Sequence, residues 1–232
     1  MIITIDGPSW TGKSTVAKAL AKMLQYTYLN TGAMFRAVGY TAKEKEIPFE
    51  DIQRITAIAK TISFQFKQEG EMQRVFVDGI DLTEELASPF VVPLAAEVAK
   101  IPAVREALLQ LQRTIAASGN VVVEGRDTGS IVFPDADWKF YLDASMHIRV
   151  QRFFKLATAE EKNKYNVEQV KKIISDTDDN DKNRSVAPLI IPENAIIYDN
   201  STSPTAEHDA IVLWYYITGK EEMIKNIQAM GK

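Results

Sequence analysis

The chain opens on an apolar run, Met1-Ile-Ile-Thr-Ile-Asp6, that reads as a short strand over residues 1–5. A loop from Asp6 to Gly12 follows, then a helix-periodic stretch from Lys13 to about Leu24. Val16, Ala19, Leu20 and Met23 lie on one stripe of that helix. Strand, glycine-containing loop and helix in that order predict an α/β unit. Residues 31–46 and 49–61 also have helical spacing, with Ile52, Ile55, Ile58 and Ala59 as the expected core face of the second helix. From Ser63 to about Pro89 the period changes to two. Ser63–Phe66 and Arg74–Asp78 alternate, Asp78-Gly79 reads as a turn and Glu69-Gly70 as a connection, so a small antiparallel sheet is expected between helices.

Residues 90–118 return to helical spacing, broken near Pro102. Val121–Glu124, Lys139–Asp143 and Ala195–Tyr198 read as strands. Strands separated by helices predict a parallel sheet covered on both faces, and the fold class is α/β. Residues 145–184 are highly charged and mostly helical in pattern. Their large apolar residues thin out past Leu156, which predicts a mobile exposed segment rather than core. Helices are expected around Ile211–Ile217 and Glu221–Met230. Neither an internal repeat nor a low-complexity tract is found.

Composition narrows the functional classes. The 232 residues carry 27 Lys and Arg against 31 Asp and Glu, a formal charge of −4. That balance argues against a general nucleic-acid binder, which shows a basic excess. It leaves room for a small anionic ligand, which needs only a few local charges. Cysteine is absent, so disulfides, thiolate metal sites and a thiol nucleophile are excluded. The first residues lack a basic n-region, and no apolar stretch reaches the roughly 18 residues of a membrane span. The expectation is a soluble, cytoplasmic protein that binds neither nucleic acid nor membrane.

Gly7-Pro-Ser-Trp-Thr-Gly12-Lys13-Ser14 fits G-x-x-x-x-G-K-[ST] in full, between a strand and a helix. Glycines let the backbone turn several N–H groups into one concavity, and the helix N-terminus adds a positive end. Lys13 would reach the β and γ phosphates, and Ser14 would offer its hydroxyl to Mg²⁺. The loop and its flank, Gly7 to Thr15, are the expected ATP contacts. The competing account, a strand–helix turn with no ligand, is disfavoured by the complete motif in this context. Neither D-x-x-G nor N-K-x-D is present, which disfavours a switch GTPase. A motor ATPase would have a longer chain and a basic track. A small-molecule kinase needs instead a second, cationic site for its acceptor.

Arginine suits such a site because its planar fork grips phosphate through two hydrogen bonds. Arg36 follows a turn in Asn30-Thr-Gly-Ala-Met-Phe-Arg36. Arg105 lies in Ile101-Pro-Ala-Val-Arg105, and Arg184 closes the charged segment. Arg126-Asp127 directly follows the strand 121–124, with Gly125 before it and Gly129 after. Ligands of open parallel sheets sit beyond the carboxyl ends of strands, where this pair falls. For Arg105 and Arg184, a solvated surface role is an equally good reading of the residues alone.

Taken together these motifs resemble the bacterial cytidylate kinases, the CMP/dCMP branch of the nucleoside monophosphate kinases. The resemblance runs nearly end to end. It rests on Ile5-Asp-Gly-Pro-Ser9 with Gly12-Lys-Ser-Thr15, on Leu29-Asn-Thr-Gly-Ala-Met-Phe-Arg36 and on Val75-Phe-Val-Asp-Gly79 with Asp81-Leu-Thr-Glu84. It continues in Pro102-Ala-Val-Arg-Glu-Ala-Leu-Leu109 with Gln112-Arg113, and in Gly125-Arg-Asp-Thr-Gly-Ser-Ile-Val-Phe-Pro-Asp-Ala136. It closes on Asp181-Lys-Asn-Arg184 with Ala187-Pro-Leu189. The resemblance implies a P-loop NTPase core with a central parallel sheet (1–30, 99–147 and 187–232). It adds a monophosphate-binding region (31–98) carrying the small antiparallel sheet (about 63–89), and a helical lid (148–186).

The implied activity transfers the γ-phosphoryl of ATP to CMP or dCMP, with Mg²⁺, in a monomer. The resemblance makes Arg36, Arg126 and Arg184 the clamp on the acceptor phosphate, and Arg105 and Asp127 the readers of the cytosine ring. Asp181 becomes a sugar-hydroxyl contact. Arg149 and Arg152 join Lys13 and Arg126 near the moving phosphoryl. A carboxylate at Asp127 makes physical sense, since it accepts from the cytosine amine where uracil presents a carbonyl. The chain departs from the family pattern at five places. Ala96 replaces a serine at the base, Thr177 an arginine near the sugar and Phe35 a tyrosine before Arg36. Trp10 sits inside the P-loop, and Ala87 replaces an arginine. The alternatives are a kinase for another small acceptor such as UMP, or a non-catalytic nucleotide-binding switch.

Three further features carry less. Asp176, Asp178, Asn180 and Asp181 look superficially like a calcium loop, but the sixth position is Asp181 rather than glycine and the twelfth is Ala187. A solvated lid helix is the better account of them. His147 and His208 are isolated, which suits surface or helix-end roles. Glu124 ends a strand of three valines and fits either an acid that orders a magnesium water or a plain strand-end acid.

Overall fold

The computed structural model describes residues 1–69, 72–88, 91–117 and 119–224. The elements run β1 (Ile2–Asp6), α1 (Lys13–Leu24), β2 (Thr27–Asn30), α2 (Thr31–Glu44), α3 (Ile52–Thr61), β3 (Phe64–Glu69), β4 (Met72–Val77), β5 (Ile80–Asp81), α4 (Thr83–Ala87), α5 (Val92–Ala99) and α6 (Pro102–Ala116). They continue with β6 (Val121–Gly125), a wide helical turn over Thr128–Val132, β7 (Trp138–Asp143), α7 (Met146–Leu156), α8 (Ala159–Lys164), α9 (Val167–Asn183), β8 (Ile196–Asp199) and α10 (Ala206–Ile217). The chain divides into two compact units, residues 1–28 with 119–232, and residues 29–118.

In the first unit the apolar runs assemble a sheet of order β2-β6-β1-β7-β8. β1 pairs in parallel with β6, Ile3 opposite Val122, and with β7, Ile5 opposite Phe140. β7 pairs in parallel with β8, Leu142 opposite Tyr198. Thr4, Asp6 and all of β6 are as buried as Ile3 and Ile5, so the central strands are covered on both faces as expected for parallel pairing. The core joins Ile3, Ile5, Phe140 and Leu142 of the sheet to Val16 and Leu20 of α1 and Val212 and Leu213 of α10. The α1 stripe is rotated from the expected one. Val16, Ala17, Leu20 and Ala21 are buried while Met23 is exposed, because the face that meets the sheet follows 3.6-residue spacing through the small alanines.

The charged segment departs most from expectation. Val150 and Phe153 of α7 and Val170 and Ile174 of α9 form a small core of their own, with Trp10, Met146, Phe154, Ala157 and Tyr165 packed against it. Trp10 meets Phe153 edge-on at 4.9 Å. Two apolar residues one helical turn apart on α9 suffice to build that core, so the sparse apolar count did not mean an unpacked segment. A capping box starts α9: Asn166 accepts from the Gln169 N–H at 2.9 Å while the Gln169 side chain accepts from the Asn166 N–H at 2.9 Å.

In the second unit β3, β4 and β5 form the expected antiparallel sheet, with Phe64 opposite Val77 and Val77 opposite Ile80. Asp78 (φ 50°) and Gly79 (φ 83°) make its second turn. The predicted Glu69-Gly70 connection and the Pro89 boundary fall partly or wholly outside the described residues, as does most of the Glu221–Met230 helix. α2 lies close against α5: a Cβ on Gly39 would come within 2.8 Å of the Leu94 backbone, so only glycine fits there. Ile55, Ile58 and Ala59 face the core of α3 as expected, while Ile52, in its first turn, is exposed. Among the described residues no helix is long and apolar enough to cross a membrane.

Candidate active site

The P-loop leaves the end of β1 through a backbone that demands glycine at Gly7. A Cβ there would lie 2.0 Å from the Leu142 carbonyl oxygen. Trp10 (φ 62°) and Gly12 (φ 86°) both take left-handed conformations, which costs a tryptophan more than a glycine. The loop's carbonyls are tied down one by one. Pro8 O accepts from Lys13 Nζ at 2.5 Å and from the Thr11 hydroxyl at 3.2 Å. Ser9 O accepts from Arg149 Nε at 2.7 Å. Thr11 O accepts from Arg152 Nη1 at 2.9 Å and from Asn200 Nδ2 at 3.0 Å. Gly12 O takes the first helical bonds, from Thr15 and Val16.

Lys13 is 4% exposed. Burial, reinforced by the Arg126 charge, pulls its ammonium down to about 7, against the opposing pull of Glu124, Asp181 and Asp6. Ser14, in the first turn of α1, donates its hydroxyl to Glu124 Oε1 at 2.8 Å, and the Tyr28 hydroxyl donates to the same oxygen at 3.2 Å. Glu124 therefore has a definite partner at the loop. Asp6, at the end of β1, is fully buried. It accepts from the Thr128 N–H and hydroxyl at 2.9 and 2.8 Å and from the Gly129 N–H at 2.7 Å. Burial still pushes its carboxyl up to about 6. Asp6 thereby pins the turn after Arg126-Asp127 to the strand that launches the P-loop.

Four of the sequence-derived acceptor residues meet in the first unit. Asp181 accepts from Arg126 Nε at 2.8 Å and faces Arg184 Nη1 at 3.5 Å. Arg184 Nη2 lies 3.5 Å from Asp127 Oδ1 and its Nε donates to Ala187 O at 2.5 Å. Arg126, Asp181, Arg184 and Asp127 thus form one alternating chain of charge. The other two, Arg36 and Arg105, belong to the second unit. Asn30 caps α2 by accepting from the Ala33 N–H at 2.8 Å, and Arg36 stands on the following turn. Arg105, buried in the first turn of α6, donates to Ala99 O at 3.4 Å and stacks over the Phe35 ring at 5.2 Å. Phenylalanine keeps the cation–π face that a tyrosine would have offered.

Arg149 and Arg152 project from α7 onto the P-loop. Arg149 pairs with buried Asp178 of α9, and Asp178 Oδ1 accepts both the Ser9 N–H (2.9 Å) and the Ser9 hydroxyl (2.8 Å). Asp178 is therefore no member of a solvated helix face, which corrects the sequence reading of that acidic run. Asn180 and Asp176 of the same run are exposed. Thr177 turns its hydroxyl back to Ile173 O at 2.7 Å, and Ala96 is exposed on α5. His147 is exposed beside Gln151 at 3.0 Å.

Sequence reasoning missed Asp6, Asp178, Asn200 and Asp209. For Asp6 and Asn200 a signal existed, since both stand at the carboxyl ends of parallel strands. Asp178 and Asp209 sit within helices, and only the fold buries them.

Known proteins resemble this chain along most of its length. The family model for cytidylate kinase matches residues 3–215. A cytidylate kinase of Caldanaerobacter subterraneus subsp. tengcongensis is 44% identical over 202 residues, covering 86% of this chain and 87% of its own. One from Pelotomaculum thermopropionicum is 40% identical over 223 residues, covering 95% and 97%. Among solved structures, an uncharacterised protein from Eubacterium ventriosum superposes with a TM-score of 0.51 at 12% identity over 94% of this chain and 98% of its own, a likeness of fold alone. With the complete P-loop at the end of β1 and kinship along almost its whole length, the chain belongs to the cytidylate kinase family.

Proposed function

We propose that the protein transfers the γ-phosphoryl group of ATP to CMP or dCMP, giving ADP and CDP or dCDP. One geometric observation carries the reading. The P-loop with buried Lys13 and the Arg126–Asp181–Arg184–Asp127 chain stand at the carboxyl ends of neighbouring strands, β1 and β6. Two anions brought to adjoining strand ends need this arrangement of cations. The relatives' names supply the cytidine preference.

Phosphoryl transfer asks little covalent chemistry of a protein, so positioning and charge stabilisation carry the rate. In this reading the loop's inward N–H groups and Lys13 hold the β and γ phosphates. Lys13 regains its full charge as the phosphates arrive. Arg126 and Arg184 grip the acceptor phosphate, joined by Arg36. Asp127 accepts from the cytosine amine, and the family resemblance makes Arg105 a second reader of that base. Asp181 keeps the two arginines apart and oriented, beside its expected contact with the sugar. Arg149 and Arg152 are the cations available to the moving phosphoryl.

The Ser14 hydroxyl and the buried Glu124 carboxylate are hard oxygen donors of the kind Mg²⁺ takes, so the residues fit that ion. Bound there with ATP, it would neutralise charge on the β and γ oxygens. The test is ADP release in the presence of CMP, dCMP and UMP, measured for the wild type and for Lys13→Met.

A further inference from the structure

We infer that Asn200, held by Asp209, is a positioning residue of the P-loop, fixing the Thr11–Gly12 peptide so that the Gly12 N–H faces the donor phosphates. The inference rests on the reading of this loop as the ATP cradle. Asn200 directly follows β8 and is 1% exposed. Its amide nitrogen has two hydrogens and both are used: one goes to Thr11 O at 3.0 Å, the other to Asp209 Oδ2 at 2.9 Å. Its side-chain oxygen accepts from Arg152 Nη1 at 3.0 Å, its backbone oxygen from Arg152 Nη2 at 3.2 Å, and its N–H donates to Asp143 O at 3.0 Å. The amide has one sensible orientation, since only its NH₂ can face a carbonyl and a carboxylate while its oxygen faces a guanidinium.

Asp209 is 2% exposed in the first turns of α10. A carboxylate so buried needs donors, and Asn200 Nδ2 and the Tyr198 hydroxyl, each at 2.9 Å, supply them. Burial, followed by the Asp209 charge, pushes the Tyr198 hydroxyl far up, so it stays a proton donor. Asn200 is thereby locked from behind.

The consequence lies in the peptide plane. In a trans peptide the C=O and N–H point opposite ways. Two donors on the Thr11 carbonyl therefore fix the Gly12 N–H on the other side, with the concavity of the loop. Trp10 gets the same treatment through Ser9 O, but its holder is Arg149, which like Arg152 stands on α7. If Arg152 swings to the moving phosphoryl, it must release Thr11 O. Asn200, anchored at the end of the central sheet, is the donor that stays.

The experiment compares the full-length wild type, Asn200→Ala and Val212→Ala. The last opens a cavity one turn along α10 from Asp209 without removing any donor to the loop, and controls for lost stability. Calorimetric titration with ATP alone and with CMP alone is read beside melting temperature. Asn200→Ala should weaken ATP binding about ten-fold, leave CMP within about two-fold and raise the KM for ATP in the same proportion. Val212→Ala should lower the melting temperature with ATP affinity within about two-fold. Unchanged ATP affinity in Asn200→Ala overturns the inference. So does an equal loss of ATP and CMP binding, or an ATP loss in Val212→Ala that matches its own. A wild type that binds ATP but phosphorylates no cytidine nucleotide sinks the proposed reaction and leaves this inference standing. A wild type that binds no ATP sinks both.

Discussion

The Ser14 hydroxyl donates to Glu124 Oε1 at 2.8 Å, joining the first turn of α1 to the end of β6. Ser14 is also the residue whose hydroxyl the P-loop motif commits to Mg²⁺. Glu124 therefore sets where that hydroxyl points. Glu124→Ala should raise the Mg²⁺ concentration for half-maximal rate about ten-fold and lower kcat, with little change in the KM for CMP. A Mg²⁺ titration at saturating ATP and CMP checks it, and an unchanged Mg²⁺ dependence would make Glu124 a plain strand-end acid.

Asp181 stands between Arg126 and Arg184 and orients both. Hydrogen bonds to charged groups contribute about 1.5–3 kcal/mol each. Asp181→Ala should raise the KM for CMP by about ten-fold or more, with the KM for ATP within about two-fold. Equal rises in both would mean that the cluster serves the fold rather than the acceptor.

Lys13 predicts a pH signature. Its ammonium sits at about 7 in the free protein, against an ordinary 10.5, chiefly because burial disfavours the charge. At pH 8 it is mostly neutral, and the phosphates of ATP favour the charged form. ATP binding at pH 8, where the ATP phosphates are fully ionised, should therefore take up about one proton. Calorimetry in two buffers of different ionisation enthalpy measures it, and Lys13→Met should abolish the uptake. In the free protein the same shift makes Lys13's contribution to stability rise with pH between about 7 and 10.5. Over that window the unfolded chain still holds the proton that the folded chain has shed.

Phe153 is the hub of the small core between α7 and α9, meeting Trp10, Phe154 and Tyr165. Phe153→Ala should speed amide exchange across residues 146–183 by at least about ten-fold while β1 and β6 keep wild-type protection. It should also lower kcat, because Arg149 and Arg152 ride on the same helix. Uniform loss of protection would mean that this core is inseparable from the main one.

Much of this was legible along the chain because it is local. The P-loop, the strand runs 1–5, 121–124, 139–143 and 195–198 of the main sheet, and the alternating insert each declare themselves within a dozen residues. Thr27–Asn30 was not read as a strand, because only Tyr28 and Leu29 stand between two polar residues. The partners that hold the P-loop were illegible for a different reason. Asp178 reaches Ser9 across 169 residues and Asn200 reaches Thr11 across 189. No periodicity announces a hydrogen bond that only the assembled sheet can make. The small core of the charged segment escaped similarly, since its apolar set is shared among α7, α9 and a tryptophan in the loop.

The reaction is tested by coupled ADP release from ATP against CMP, dCMP, UMP and AMP. CMP or dCMP should stimulate release strongly and UMP much less, and Lys13→Met should lose nearly all turnover with the fold intact by circular dichroism. Stimulation led by UMP or AMP, by no acceptor at all, or wild-type turnover in Lys13→Met would overturn the cytidylate kinase reaction proposed for this site.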